Sequence, residues 1–532
     1  MEVKEKIRLP RADYPEQAGI SSAEIEKFIQ DFRDSNIEIH SMMVIKDGIV
    51  GFESWAAPYA PEIPHMMYSV SKSFTSTAIG FAVDEGLLTT ETRLVDVFPE
   101  FRDETDKHLE KLNVYHLLTM QSGKSVSVFS DKSKNRWLKD FIDSPWEFEP
   151  GDGHWDYISE NQYVLCAMLQ RVTGKTVVDY LTPRLFEPLG IDVPFWEHDN
   201  DGIEAGGWGL FIKTEDLAKF ILCYLNDGMF NGKQVIPAEW THLAQQPWGN
   251  NAIKNSGADS ASGYGCCFWR CGGINAIRAD GMFSQFGIVS KKYNAAFIMT
   301  AGEIDEQKTR DCIWRHFPKC FIEPDSEKTP DVLPSLAPLD DDLPALGRSP
   351  LEKSIEGRSI KFRKNIFLNT AGFPVSVLPF PVIYMAGYRA GNITDVSFRF
   401  DTDTCLFGWS EGDERNEILC GMDGKPRITP LTLARMNFTA CATAAWVSEN
   451  ELELHIRPVE SVCQRILKFR FDGDKVTFLP ASNPPIKSMA DNIAQDMENF
   501  LPNIAPVQKA GHIVFDILPK LVDCLHYGRF TK

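Results

Sequence analysis

The sequence predicts an α+β fold in which an antiparallel sheet with a helical insert is followed by a small all-β domain. Strand-like segments open and close residues 41–301, and helix-like segments fill the middle. Short alternating strands return beyond a proline-rich stretch at 323–350. The 532 residues exceed what one compact core usually holds, so we expect at least two domains.

The first domain is predicted to span residues 1–322. Residues 41–57 favour a hairpin that turns at Asp47-Gly48. Helices with recognisable starts or stops follow: Ser69 to Asp84 with Gly86 as C-cap, Val114 to Met120 with Asn113 as N-cap, Glu160 to Val172 before Gly174, and a helix capped by Thr214 that runs to Leu225. Strand character returns at Gly263–Trp269 and Asn294–Ala301.

A linker and a β-rich domain are predicted for the remainder. Residues 323–350 hold six prolines and an acidic run at 340–342. Over 351–532 the alternating segments predict a small antiparallel barrel or sandwich with a helical or irregular tail from about 487: Val396–Phe400, Leu452–Ile456 and Leu467–Phe471. The apolar stretch 372–387 contains three prolines and favours a buried loop or partner-facing segment.

Composition narrows the class of protein. Hydrophobic residues make up 43% and charged residues 24%, an ordinary globular balance, and the net charge of −19 disfavours nucleic acid as a partner. We find no secretory signal and no apolar run of membrane-spanning length, so we expect a cytoplasmic protein. The twelve cysteines favour reduced, buried thiols. A metal site at Cys266, Cys267 and Cys271 is a weaker alternative, and we predict no cofactor.

The segment around Ser69 contains a pattern that is typical of a catalytic serine nucleophile. Ser69 and Lys72 form a Ser-x-x-Lys motif at the predicted start of a helix. Free N–H groups and the helix dipole favour negative charge there, and Lys72 lies on the same helix face as Ser69. Burial lowers the pKa of a lysine, so that it can accept the serine proton. The alternative is an N-cap serine followed by a solvated lysine, but apolar neighbours such as Phe74 indicate a buried helix.

Further motifs occur in a characteristic order after Ser-x-x-Lys: Leu112 to Gly123, Tyr157-Ile158-Ser159, Leu185 to Gly190, Gly206 to Gly209, and Thr214 to Ala218. This order over about residues 10–320 resembles the class C β-lactamase family in its broad sense. That family includes penicillin-binding proteins, esterases, D-aminopeptidases and 6-aminohexanoate-dimer hydrolases. The resemblance implies a β-lactamase/transpeptidase-like fold. It is closest to uncharacterised bacterial serine hydrolases that have a C-terminal β-domain. In some relatives the C-terminal domain is lipocalin-like.

The resemblance assigns roles to three residues. Ser69 matches the family nucleophile, Lys72 its partner, and Tyr157 the tyrosine of the second motif, which is implied as general base or as proton shuttle to the leaving group. A phenolate at Tyr157 would need the charge of Lys72 nearby. Ser159 stands where the lactamases have Asn, so the resemblance is closer to esterase-like and amide-hydrolase members.

The third family motif aligns with Arg278 to Phe286. Gly281 matches the family glycine, and the N–H of Met282 would share an oxyanion hole with the N–H of Ser69. Ala279 replaces the family Lys or His, so the cation that meets a substrate carboxylate is missing there. Asp280 either faces the cleft, where it would repel anions, or pairs with a neighbouring Arg or Lys; Arg278 should point to the opposite face from Ala279.

Five other positions are secondary candidates. His154 and Asp156 flank Tyr157 as support, although a lone histidine is more often structural. Gln121, with Ser122, would lie on a loop facing the cleft, and Trp208 would line the acyl pocket or belong to the core.

The sequence therefore predicts a serine hydrolase that forms an acyl-enzyme with a small ester or amide/peptide substrate that is not strongly anionic. The alternatives are a β-lactamase or D-peptidase, an acyltransferase, and a binding or sensor protein without turnover. The predicted partner is a small acyl molecule, and the oligomeric state is left open.

Overall fold

The computed structural model describes residues 7–104, 107–124, 137–199, 201–253, 257–272, 274–325, 328–339, 343, 347–362, 393–411, 414–433, 436–485, 487–488, 523 and 525–531. The chain divides into two compact units, residues 1–337 and 338–532. The division falls inside the predicted linker, whose own bounds stay a prediction. The apolar stretch 372–387 and most of the tail beyond 487 lie outside the described residues.

Unit 1 contains eleven described α-helices: α1 (Ser22–Asp34), α2 (Ser71–Asp84), α3 (Leu94–Val97), α4 (Val114–Leu118), α5 (Trp137–Asp143), α6 (Glu160–Thr173), α7 (Val177–Leu181), α8 (Glu187–Leu189), α9 (Thr214–Leu225), α10 (Ala238–Ala244) and α11 (Glu306–His316). Shorter helical turns lie at Pro15–Ala18, Tyr68–Val70, Pro99–Glu104, Thr182–Phe186, Asn251–Ile253 and Phe317–Lys319. None of the described helices is both long and apolar enough to cross a lipid bilayer.

The strands of unit 1 are β1 (Ile39–Lys46), β2 (Ile49–Trp55), β3 (His65–Met66), β4 (Phe195–Trp196), β5 (Leu210–Ile212), β6 (Met229–Phe230), β7 (Lys233–Gln234), β8 (Trp269–Cys271), β9 (Ala276–Gly281), β10 (Gln285–Ser290) and β11 (Ala295–Ala301). The main sheet has the order β2-β1-β11-β10-β9-β8, and its neighbours pair antiparallel. Strands from both ends of the unit thus form one sheet, which confirms the predicted fold class.

Strands β9, β10 and β11 are buried along their whole length because helices cover both faces of this sheet. On one face Phe28 of α1 stacks on Phe297 of β11, with ring centroids 5.6 Å apart. On the other face α9 approaches so closely that a Cβ on Gly287 would meet Ile221 at 2.7 Å. Helix α2 belongs to the same apolar core as α9, and twelve of its residues are buried.

Two local predictions were wrong. Thr214 is not the N-cap of α9: that position is Lys213, and the Thr214 hydroxyl instead hydrogen-bonds the Ser41 hydroxyl at 2.8 Å. The predicted strand Gly263–Trp269 is largely irregular, and β8 begins only at Trp269. Cys267, with a φ of 64°, interrupts extended backbone at that point.

Unit 2 consists of the short helix α12 (Glu352–Ile355) and ten described strands: β12 (Ser359–Phe362), β13 (Ile393–Phe400), β14 (Thr404–Glu411), β15 (Glu414–Gly421), β16 (Arg427–Leu433), β17 (Met436–Ser448), β18 (Glu451–Pro458), β19 (Gln464–Asp472), β20 (Lys475–Asn483) and β21 (His526–Phe530). Their order is β15-β14-β13-β12-β21-β20-β19-β18-β17-β16, and a bridge between Gly421 and Thr443 joins β15 to β17. This bridge closes nine strands into a barrel, which decides between the two predicted alternatives.

Aromatic side chains fill the interior of that barrel. Phe398 lies 5.0 Å from Phe469, and Phe469 stacks on Phe478 at 4.7 Å, measured between ring centroids. All three side chains are buried. Alternation along each strand directs these rings inward, as the sequence pattern predicts.

Candidate functional site

Ser69 lies in a tight turn between a short strand and a long buried helix. Strand β3 leads into the helical turn Tyr68–Val70, and α2 follows at once. Tyr68 has a φ of 46°, a left-handed conformation that costs a non-glycine residue about 1–3 kcal/mol. Its ring packs edge-on against Phe283, with centroids 5.1 Å apart. The strained turn therefore holds Ser69, which is half-buried, at the start of α2.

Lys72 is buried beside Ser69. Its side chain is 1% exposed, and Nζ donates to Ser69 Oγ at 2.8 Å and to the Gly207 carbonyl oxygen at 2.7 Å. Burial lowers the pKa of Lys72 from 10.5 to about 7, and the nearby Cys267, Glu160 and Asp280 oppose that fall. Near neutral pH a substantial fraction of Lys72 is therefore the free amine, which is the form that can accept a proton.

Gly207 supports Lys72 through its backbone. A Cβ at this position would lie 2.5 Å from the Ser159 carbonyl oxygen, so the close approach requires glycine. Ser159 occupies the N-cap position of α6 without a side-chain capping bond. The structure thus brings Ser159 next to the carbonyl that holds Lys72, while the hydrogen bonds of the ammonium go to Ser69 and Gly207.

Tyr157 completes the group. Lys72 Nζ lies 4.7 Å from the centroid of its ring. Burial raises the pKa of Tyr157, a hydrogen bond with Ser69 opposes the rise, and Asp280 adds to it. The phenol is therefore neutral at physiological pH. This differs from the phenolate that the sequence allowed, because desolvation by burial outweighs the lowering effect of the Ser69 hydrogen bond.

The end of β9 abuts the Ser69 turn. A Cβ on Gly281 would collide with the Met67 carbonyl oxygen, so glycine is needed for this approach. Met282, the next residue, is half-buried and lies beside the turn. The placement is compatible with an oxyanion-binding N–H at Met282, which stays a prediction.

Asp280 pairs with two arginines. Arg278 Nε donates to Asp280 Oδ2 at 2.5 Å, and Arg310 of α11 lies 3.7 Å from the same oxygen. Arg278 is 1% exposed and Asp280 is 9% exposed. Of the two alternatives for Asp280, the structure has the paired one. Ala279 belongs to the apolar core on the opposite face of β9.

The remaining predicted residues have partners other than Ser69 and Lys72 among the described residues. Gln121 Nε2 donates to Thr119 Oγ1 at 2.9 Å and to the Trp248 carbonyl at 3.4 Å. Trp208 follows Gly207 and its ring centroid lies 6.1 Å from that of Trp137. His154 is exposed, and its ring stacks on that of Phe148 with centroids 3.7 Å apart.

Sequence reasoning missed three aromatic residues around Tyr157. The rings of Trp155, Tyr264 and Trp269 have centroids 6.1, 6.1 and 5.4 Å from that of Tyr157. Trp155 lies two residues before Tyr157, and this proximity to the Tyr157-Ile158-Ser159 motif is a signal in the sequence that could have identified it. Tyr264 and Trp269 come from a segment predicted as an ordinary strand, and only the fold brings them here.

Comparison with known proteins identifies the family. The beta-lactamase family model matches residues 25–310, which is more than half of the 532-residue chain. The chain belongs to the beta-lactamase family. The matched residues lie within unit 1.

Individual relatives of this beta-lactamase-family chain are distant. A 6-aminohexanoate-dimer hydrolase of Paenarthrobacter ureafaciens is 26% identical over 42% of this chain and 60% of its own length. A lovastatin esterase of Penicillium rubens is 26% identical over 38% of this chain and 64% of its own length. A crystal structure of a family VIII carboxylesterase aligns over 59% of this chain and all of that one, with 16% identity and a TM-score of 0.47. The chain thus matches less than two thirds of the length of these two curated relatives.

The cysteines of the beta-lactamase-family unit are not assembled as a metal centre in the part of the chain that the structure describes. No group of three or more His, Cys, Asp or Glu side chains with metal-binding geometry occurs among those residues. Cys266, Cys267 and Cys271 are free and buried, and burial raises the pKa of each thiol. Cys266 and Cys267 belong to the apolar core, and the Cys271 sulfur accepts a hydrogen bond from Arg278 Nη1 at 3.7 Å.

Proposed function

We propose that this protein is a serine hydrolase that acts through an acyl-enzyme on a small ester or amide substrate. The observation that carries the proposal is the 2.8 Å hydrogen bond between the buried Lys72 ammonium and Ser69 Oγ. A lysine in this environment loses its proton near neutral pH and becomes the base that a serine nucleophile requires.

Acylation follows from this geometry. Ser69 Oγ attacks the carbonyl carbon of the substrate while its proton passes to the free amine of Lys72. The N–H groups of Ser69 and Met282 would stabilise the tetrahedral oxyanion. Tyr157 then gives its phenolic proton to the leaving group and takes one from the Lys72 ammonium. The carbon–leaving-group bond breaks, an ester to Ser69 remains, and the site has gained no net proton.

Deacylation reverses the proton path. A water molecule attacks the Ser69 ester and passes its proton through Tyr157 to Lys72. The bond between the carbonyl carbon and Ser69 Oγ then breaks, Lys72 returns a proton to Oγ, and the carboxylic acid is released. A neutral phenol flanked by Lys72 suits a relay better than a permanent phenolate, since the pKa of Tyr157 is raised.

Ester or amide hydrolysis is favoured over efficient β-lactam hydrolysis. Ser159 provides a hydroxyl where the lactamases have an amide, and it makes no hydrogen bond to Lys72 among the described residues. Ala279 supplies no cation for a β-lactam carboxylate. The esterase and amide-hydrolase names among the relatives agree with this preference.

A covalent probe combined with turnover tests the proposal. A fluorophosphonate should label Ser69, and short-chain esters such as methyl acetate should be hydrolysed; Ser69→Ala should lose both. Ser76→Ala is the matched control, because Ser76 lies buried on the same helix and its hydroxyl has no hydrogen-bond partner among the described residues. Labelling without turnover would favour a binding or sensor role, and full activity in Ser69→Ala would refute the mechanism.

A further inference from the structure

The rings around Tyr157 form a cluster of four: Trp155, Tyr157, Tyr264 and Trp269, hereafter the Tyr157 cluster. Trp155 and Tyr264 meet edge to face at 5.5 Å, and Tyr264 meets Trp269 at 5.1 Å, measured between ring centroids. Such edge-to-face pairs are favourable arrangements of aromatic quadrupoles. The cluster is therefore a fixed apolar structure that holds Tyr157 in place.

Only part of the Tyr157 cluster is open to a ligand. Trp155 and Tyr264 are each 1% exposed, whereas Tyr157 and Trp269 are half-buried. The ring centroids of these two accessible residues are 5.4 Å apart. A group that packs against the exposed part of Tyr157 is thus within reach of the Trp269 indole as well.

The charges next to Trp269 are already engaged within the protein. The Arg278 guanidinium lies 5.4 Å from the Trp269 centroid, but it is buried and bonded to Asp280 and to the Arg270 carbonyl. Arg310, the second partner of Asp280, also pairs with Glu306 at 3.4 Å. These two guanidinium groups and two carboxylates therefore balance, so this group of ion pairs adds no net charge beside the Trp269 ring.

We infer that Trp269 forms a subsite for the leaving group of the substrate, and that this subsite selects uncharged aromatic leaving groups. The inference rests on the proposed function, because it takes Tyr157 as the residue that protonates the leaving group. A leaving group at that hydroxyl packs on the indole, and stacking together with burial of a ring strengthens binding about tenfold or more.

The proposed leaving-group subsite at Trp269 can be tested with two esters that have the same acyl group. Benzyl acetate and methyl acetate share the acetyl group and release alcohols of similar acidity, so their comparison isolates the contact with the leaving group. The wild-type protein should show a kcat/KM for benzyl acetate about tenfold above that for methyl acetate, chiefly through KM. Trp269→Leu should remove most of this preference, and Trp269→Phe should keep a large part of it because a ring remains.

Trp55→Leu is the matched control. Trp55 is also a half-buried tryptophan, and β2, on which it lies, is at the opposite edge of the sheet from β8. The ratio should be unchanged in this variant. The fluorophosphonate reports whether each variant retains a folded site.

Separate outcomes identify what has failed. If Trp269→Leu is labelled at Ser69 and keeps the wild-type ratio, the subsite is wrong while the proposed function stands. A wild-type protein that prefers methyl acetate overturns the subsite without any variant. Hydrolysis of both esters by Ser69→Ala overturns the proposed function itself.

Discussion

The buried amine of Lys72 makes the pH dependence of acylation the sharpest test of the mechanism. Burial lowers its pKa to about 7 against the opposing influence of Cys267, Glu160 and Asp280. Only the free amine accepts the Ser69 proton, so the acylation rate should follow its fraction. Between pH 6 and pH 8 that fraction rises about tenfold and then levels off. A lysine with its ordinary pKa of 10.5 would give a rise of about a hundredfold that continues beyond pH 10.

The measurement is the second-order rate of fluorophosphonate labelling from pH 5.5 to pH 10. Glu160→Gln should move the midpoint to lower pH, because the Glu160 charge raises the Lys72 pKa. Glu239→Gln removes an exposed carboxylate of the same unit and should leave the midpoint in place. A midpoint above pH 9, or a rate still climbing at pH 10, would refute the assignment of Lys72 as the base.

Three further predictions concern the same group of residues. Tyr157→Phe removes the proton relay and should lower kcat for methyl acetate by about 10²–10⁴-fold in steady-state assays, with an unfolding temperature close to wild type. Gly207→Ala places a Cβ 2.5 Å from the Ser159 carbonyl oxygen, so calorimetry should show a loss of about 1–3 kcal/mol; an unchanged unfolding temperature would contradict the close approach. Lys72→Met should abolish labelling but stabilise unit 1 at low pH. The folded pKa of about 7 lies below the unfolded value of 10.5, so the cost of the buried ammonium is complete below about pH 7 and fades towards pH 10.5. That cost is about 5 kcal/mol at about 1.36 kcal/mol per pKa unit, and two lost hydrogen bonds offset roughly 2 kcal/mol of the gain. Denaturant unfolding should show a gain of about 3 kcal/mol at pH 6 and a loss of about 1 kcal/mol at pH 10, where the lost hydrogen bonds outweigh the remaining cost of the ammonium.

The parts of the site that depend on local spacing could be predicted from the sequence. Ser69 and Lys72 are one helical turn apart, so a helix alone brings them together, and the helix limits followed from caps such as Gly174. Tyr157 was placed by resemblance, and its environment came from segments far along the chain. No spacing reveals that the Gly207 carbonyl holds Lys72, since the acceptor is backbone and any residue carries one.

The partners of Asp280 in the third motif could be predicted only in part from the sequence. Residues 278 and 280 share one face of β9, which alternation predicts, and Arg278 therefore reaches Asp280. Arg310 lies on α11, so its position next to Asp280 depends on how that helix packs. The sequence left both orientations of Asp280 open for this reason.

The order of strands in the main sheet also dictates when the site can form during synthesis. Met42 on β1 pairs with Met299 on β11. The β1–β2 hairpin is therefore synthesised early, whereas the strand that pairs with β1 is synthesised near the end of unit 1. At about 5–20 residues per second, the interval between them is roughly 10 to 50 s on the ribosome. Throughout it β1 presents an unpaired apolar edge, and Gly281 has not yet reached the Met67 carbonyl. Nascent chains stalled before Ala295 should therefore engage chaperones and resist labelling at Ser69, although the nucleophile and its lysine have long since emerged.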